Sequence, residues 1–256
     1  MPAPYFKWRH FVPTVILQCL RWYLRYPLSY RNLEEMMKER GVDVDHTTIY
    51  RWIQHFAPQF EKKIRSYAKP LGFSWRVDET YIKIKGQWKY LYRALDKSGQ
   101  TIDFMLSHKR DTASAKKFFS KALRHCHEVP LVINTDQNAA YPCAIKELKQ
   151  EGVLSQGLEH RRVKYLNNII ESDHRRIKRR IRPMMGFHSF KTANRTLKGI
   201  EAMAMMIKQQ TYFFKQNIQN QITFINNQSV LAKVFEIGAL IRCKFLQHRF
   251  VASDGY

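Results

Sequence analysis

Apolar positions change their spacing along the chain, and each change marks a new unit. Residues 14–24 form an apolar helical run that ends near Tyr26-Pro27. Ser29 is placed to N-cap "YRNLEEMMKER", which Gly41 closes. Asp45 then caps "HTTIYRWIQHFA", and Pro58 predicts its end. Three short helices, the last rich in polar and cationic side chains, predict a helix-turn-helix whose third helix presents Thr47, Thr48 and Arg51 near its start. A three-helix bundle with no DNA contact fits the same pattern.

From Phe73 the pattern becomes that of strands. "FSWRVDETYIKI", "WKYLYRALD" and "TIDFMLSHK" are β-branched and aromatic runs separated by "KGQ" and "DKSGQ" turns, and they predict three antiparallel strands. Asp111 is the expected N-cap of the helix "DTASAKKFFSKALRHC". A buried strand "PLVINTD", a helix "AAYPCAIKELKQ", a short strand near "LEHRRVK" and a basic helix over 165–182 follow. This order predicts an α/β unit, a mixed sheet with helices packed on it. Beyond Gly186, "KTANRTLKGIEAMAMMIKQQ" and "SVLAKVFEIGALIRCKFLQH" read as helices with apolar stripes.

Charge changes the picture most. The 256 residues carry 44 Lys and Arg against 21 Asp and Glu, a net +23. That excess implies a polyanionic partner, nucleic acid first and an anionic membrane surface second. No apolar run approaches the ~18 residues that span a bilayer, and "FVPTVILQCL" is too short and interrupted for a signal peptide. Cys19, Cys126, Cys143 and Cys243 are scattered without a CxxC, which fits a reducing cytoplasm, and "HCH" at 125–127 has no second ligand cluster to make a zinc site.

Against this basic background three carboxylates stand out. Asp78 lies mid-strand, Asp136 ends the buried strand, and Glu171 opens the basic helix. Strand ends in α/β sheets are where ligands bind, and convergent carboxylates suit a hard divalent cation. At 100° per residue Glu171, Arg175 and Lys178 share a helix face, which would align a metal ligand with two phosphate-binding cations. Other readings stay open. Asn168 and Glu171 have capping-box spacing, Asp78 suits a solvated strand position, and Asp136 suits a turn. Asp173 reads as a surface charge or an arginine partner. Glu79, Asp96, Asp103 and Asp111 read as far sheet face, turn, strand surface and helix cap, and stay outside the site.

Three stretches go further. "LSYRNLEEMMKERGVDVDHTTIYRWIQHFAP", "WRVDETYIKIKGQWKYLYRALDKSGQTIDFMLS" and "KYLNNIIESDHRRIKRR" closely resemble the IS6 family of bacterial insertion-sequence transposases, in matching order over roughly residues 5 to 215. The resemblance implies an RNase H-like core with an Asp-Asp-Glu triad, here Asp78, Asp136 and Glu171, behind a helix-turn-helix that binds terminal inverted repeats. Lys178 matches the basic residue usual after the glutamate, while Gln137 stands where lysine is expected and the tail after about 215 is less similar.

The resemblance implies residues 1–68 for DNA binding, 69–185 for catalysis and a helical 186–256 region for dimerisation. It implies two Mg²⁺ ions, with Mn²⁺ as a substitute, held by the triad. Thr47, Thr48, Arg51, His174, Arg175 and Lys178 are expected to contact DNA, with a general-base role for His174 as an alternative. The expected partners are terminal inverted repeats, target DNA and a second copy of the chain, with no membrane, in the bacterial cytoplasm at the nucleoid. The expected reaction is 3′-end cleavage and strand transfer giving cointegrates. The rivals are a non-catalytic repressor, an inactive copy and a plain RNase H-type nuclease.

Overall fold

The computed structural model describes residues 10–126, 129–163 and 167–212. Two of the three amino-terminal helices begin at their predicted caps, Ser29 and Asp45. Helix α1 (Pro13–Arg25) buries Ile16, Leu17, Leu20 and Leu24 along one stripe. Helix α2 (Tyr30–Lys38) opens with a capping box: the Ser29 hydroxyl accepts the Asn32 N–H, and the Asn32 side chain accepts the Ser29 N–H. Helix α3 (His46–Ser66) starts at Asp45, whose carboxylate accepts the N–H groups of Thr47 and Thr48.

Helix α3 does not stop before Pro58 but runs through it. Its apolar stripe continues on the far side, where Phe60 and Ile64 are buried. Two such side chains contribute about 1.5–3 kcal/mol each. That matches or exceeds the ~3 kcal/mol an interior proline costs. Tertiary burial outweighs the local signal.

Five strands form one sheet in the order β3-β2-β1-β4-β5. Strands β1 (Ser74–Ile84), β2 (Gln87–Asp96) and β3 (Thr101–Ser107) are antiparallel, while β4 (Val132–Thr135) and β5 (Glu159–Arg162) add in parallel. Helices α4 (Thr112–Arg124), α5 (Ala140–Gln150), α6 (Asn168–Ile181) and α7 (Phe190–Ile207) pack around it. This is the expected RNase H-like α/β arrangement. Trp75, Val77 and Tyr92 face a core shared with Phe118, Phe119 and Tyr141 of α4 and α5. Ile82, Ile84, Leu91 and Phe104 face the other core, built from α1, α2, α3, Ile177 of α6, and α7.

The amino-terminal helices therefore share a core with the sheet and α7. Asp103, read as a strand-surface residue, is wholly buried at that junction. It pairs with Arg65 of α3 at 2.7 Å, Lys121 at 2.8 Å and His125 at 2.9 Å. The second helix expected beyond Gly186 lies outside the described residues. Among those described, no helix is long and apolar enough to cross a membrane.

The tightest approach is between α3 and α7. A Cβ at Gly199 would lie 2.7 Å from both the Ala57 Cβ and a Leu24 methyl. Gly→Ala in a helix is ordinarily favourable by about 1 kcal/mol. Here Gly199→Ala is expected to destabilise by about 1–3 kcal/mol through overpacking, read as a lowered denaturation midpoint at unchanged m-value.

Candidate active site

The site is set by where β4 stops. β4 pairs with β1 only as far as Val77–Thr135, so Asp78 and Glu79 are the first β1 residues beyond it, and Asp136 directly follows Thr135. Asp78, Glu79 and Asp136 bring ligand oxygens within 4.8 Å of one another. Asp78 Oδ1 accepts the Glu79 N–H at 2.9 Å, and Asp136 Oδ1 accepts the Asn138 N–H at 3.0 Å.

Glu79 does not stay apart on the far sheet face. With no β4 neighbour at this level, its carboxylate reaches around the strand edge. It accepts the Tyr141 hydroxyl and pairs with Arg110, which also stands 3.5 Å from Asp136. Adjacency to Asp78 was the one available clue to Glu79. Nothing local in the sequence marks Arg110 or Tyr141, which arrive from α4's leading loop and α5.

Glu171 lies in the first turn of α6, whose N-cap is Asn167 rather than Asn168. No side chain makes a cap bond there, so the capping-box reading of Glu171 is not realised. Glu171 is exposed and lies outside the tight carboxylate group, yet its charge acts on Asp78. Arg175 and Lys178 are exposed on the same face, with Arg175 donating to Ser172 Oγ at 2.8 Å.

The opposite face of α6 is buried. Asp173 pairs with Arg93 and Arg176 and lies 3.1 Å from Lys208. Burial pushes its carboxyl up, but those cations reverse the effect and hold it at about 2. His174 is 6% exposed, with Nδ1 3.7 Å from Asp78 Oδ2. Burial, followed by the nearby Arg93 charge, lowers it to about 3, so its imidazole is neutral at physiological pH.

On α3, Thr47 and Arg51 are exposed and Thr48 is half-buried. Both threonine hydroxyls donate to Asp45, at 2.5 and 2.6 Å, which commits them to the cap. Arg51 lines a groove of 480 Å³ with Tyr50, His55 and, from α7, Thr192 and Arg195.

Burial, then the charges of Glu79, Asp136 and Glu171, raise Asp78 from 3.8 to about 7. A carboxyl so disfavoured as an anion, in an all-oxygen donor set, fits a hard divalent cation.

The comparisons agree with this geometry. A family model described as a DDE domain matches residues 72–210. A transposase for the insertion sequence-like element IS431mec of Staphylococcus aureus is 42% identical over 204 residues, covering 80% of this chain and 89% of its own. The chain belongs to the IS6 family of insertion-sequence transposases. A Staphylococcus aureus transposase for the insertion sequence element IS257 in transposon Tn4003 has the same identity and coverage. The HTLV-2 integrase catalytic core domain in complex with magnesium (trimeric form) has a TM-score of 0.40 at 19% identity, over 52% of this chain and 85% of that one. The enzyme is a DDE transposase, and its carboxylates lie where the DDE domain matches.

The raised Asp78 pKa has a pH signature. The folded state binds this proton more tightly than the unfolded chain, so the contribution is present below about pH 4 and lost as pH rises towards about 7. Asp78→Asn removes the buried negative charge. Without divalent metal it is expected to be more stable than wild type at pH 7.5, by on the order of 1–3 kcal/mol. The gain should vanish by pH 4 in thermal melts, and added Mg²⁺ should narrow the gap at pH 7.5 by stabilising wild type.

Proposed function

We propose that this transposase binds the terminal inverted repeats of its element, cleaves their 3′ ends and transfers them into target DNA, giving cointegrates. The observation that carries this is the meeting of Asp78 and Asp136 at one strand edge beside the Glu171–Arg175–Lys178 face of α6. Asp78, Asp136 and Glu171 would hold two Mg²⁺ ions, with Mn²⁺ as a substitute. When bound, the cations supply the Lewis acidity that in-line phosphoryl displacement needs.

The chain's own residues divide the remaining tasks. Asp78 and Asp136 are fixed by the sheet, while exposed Glu171 closes on them from α6. Arg175 and Lys178 take backbone phosphates on either side of the scissile one. Neutral His174 orients the Asp78 carboxylate and carries no charge to DNA, which is a narrower part than a phosphate contact. In the first step water attacks the phosphodiester at the element's end, and the broken P–O bond leaves a 3′-OH. In the second, that 3′-OH attacks a target phosphodiester. A new P–O bond joins element to target, and the displaced target strand leaves with its own 3′-OH.

Residues 1–68 would read the ends through Arg51, with Thr47 and Thr48 holding the start of the recognition helix. Residues 69–185 would perform the chemistry, and residues 186–256 would join two copies, because two ends must be held together. The setting would be the bacterial cytoplasm, at the nucleoid.

A strand-joining assay with Mg²⁺, the gene's flanking DNA as donor and a circular plasmid as target tests the reading. Wild type is expected to give joined product, and Glu171→Gln at least about a hundredfold less. End binding without cleavage or joining by folded wild type would leave a repressor or inactive copy. Cleavage without joining would leave a nuclease. Separately, Arg51→Ala is expected to weaken end binding about 5–150-fold at fixed salt. Its Mg²⁺ affinity, measured by calorimetry, should not change.

A further inference from the structure

The β1–β2 hairpin outgrows the sheet that carries it. β3 ends at Ser107, opposite Tyr90, so residues 87–89 of β2 pair only with β1. The two-residue turn Lys85-Gly86 has φ of 49° and 76°, the doubly positive pattern that lets two strands reverse tightly. The hairpin is thus a built element, and Phe187 holds its β1 edge by exchanging backbone hydrogen bonds with Lys83 and Lys85.

Its cross-strand register places Glu79 opposite Tyr92, Tyr81 opposite Tyr90, and Lys83 opposite Trp88. Opposed residues share a face, so a row of aromatic rings begins at the acidic cluster and runs outward. Tyr81 lies 5.4 Å from Tyr90 and 6.4 Å from Trp88, ring centre to ring centre. Tyr81 is 42% and Trp88 61% exposed. Successive rungs are about 7 Å apart, about twice the 3.4 Å base step of a DNA strand.

These rings line a groove of 920 Å³ whose other wall includes Lys178, Arg182 and Met185. Lys83, Lys178 and Arg182 are exposed, and none pairs with a carboxylate among the described residues. Rings alone would suit an apolar peptide. Rings interleaved with three unneutralised cations suit flat bases on a phosphate backbone. Paired duplex DNA cannot use such a surface, because its base faces are already stacked.

Resting on the transposase reading, we infer that the hairpin face binds unpaired bases flanking the scissile phosphate. The groove stacks them on Tyr81 and Trp88 and holds their phosphates with Lys83, Lys178 and Arg182. The DNA end is bound opened at the cut.

The test uses the full chain and two versions of the gene's flanking end, one fully paired and one with three unpaired bases at the junction. Binding is measured at fixed salt without divalent metal, with 2-aminopurine at the unpaired positions. Wild type is expected to bind the opened end about tenfold or more tightly and to quench the probe by stacking. Trp88→Ala and Tyr81→Ala should each reduce that advantage about fivefold or more, and Trp88→Phe should largely keep it. Because Trp88 is exposed, its loss leaves the fold intact, which a melting curve checks. Equal affinity for both ends, or unchanged quenching in Trp88→Ala, overturns the inference. So does a change in oligomeric state in Trp88→Ala with the preference for opened DNA retained, since the groove would then seat a protein. A parallel joining assay with Mg²⁺ separates the two proposals. Joining without any preference for opened DNA sinks the groove and leaves the chemistry. Preference for opened DNA without joining supports the groove and removes the strand-transfer reading.

Discussion

Arg93 is wholly buried, stays charged, and lies directly across the sheet from Asp78. A guanidinium in that position must be neutralised locally, because an unpaired buried charge costs several kcal/mol. Glu201 of α7 meets it at 2.7 and 2.9 Å, and Asp173 of α6 meets it from the other side. Two successive α-helices are thereby fixed over the same strand pair. With Asp173 held inward, helical geometry turns Glu171, Arg175 and Lys178 outward and brings His174 onto Asp78. The outward position of Glu171 is a consequence of satisfying one arginine.

The carboxylate edge is the opposite case, a place where charge is left incompletely satisfied. Asp78, Glu79 and Asp136 crowd one strand edge, with Arg110 as the nearest cation. Glu79 is tied down by Arg110 and Tyr141, while Asp78 is held among like charges and raised to about 7. Such uncompensated repulsion is what a bound divalent cation would relieve. Opposite charges meet on the α6 side, and like charges meet at the strand edge.

Much of this was legible along the chain. Ser29, Asp45 and Asp111 cap helices as their local sequences indicate, because a cap needs only neighbours within three residues. The first three strands are where β-branched and aromatic runs place them, and β4 and β5 fall within the short stretches read as strands. Pro58 misled because its penalty is local while the compensating burial of Phe60 and Ile64 is tertiary. Asp103 and Glu79 misled because their partners lie 18 to 62 residues away. Asp78, Asp136 and Glu171 could be named by resemblance, but only the three-dimensional path of β4 shows why the first two meet. The capping alternative for Glu171 turned on a single residue, since the helix takes Asn167 as its cap without using any side chain.

The close seat of α3 on α7, where only glycine fits at 199, has a consequence for scale. Gln54 of α3 reaches Thr196 of α7 at 2.9 Å, and Arg180 of α6 lies 4.3 Å over the Tyr23 ring of α1. The amino-terminal helices and the helix bearing Glu171 are therefore packed into one shared core. A close-packed core transmits a displacement of one helix to its neighbours. If Arg51 reads bases as proposed, this packing sets how many base-pair steps of about 3.4 Å separate them from the phosphate at the carboxylates. In that reading the molecule would act as a caliper, with the number of base pairs between a recognised repeat and its cleaved end depending on the packing around one glycine.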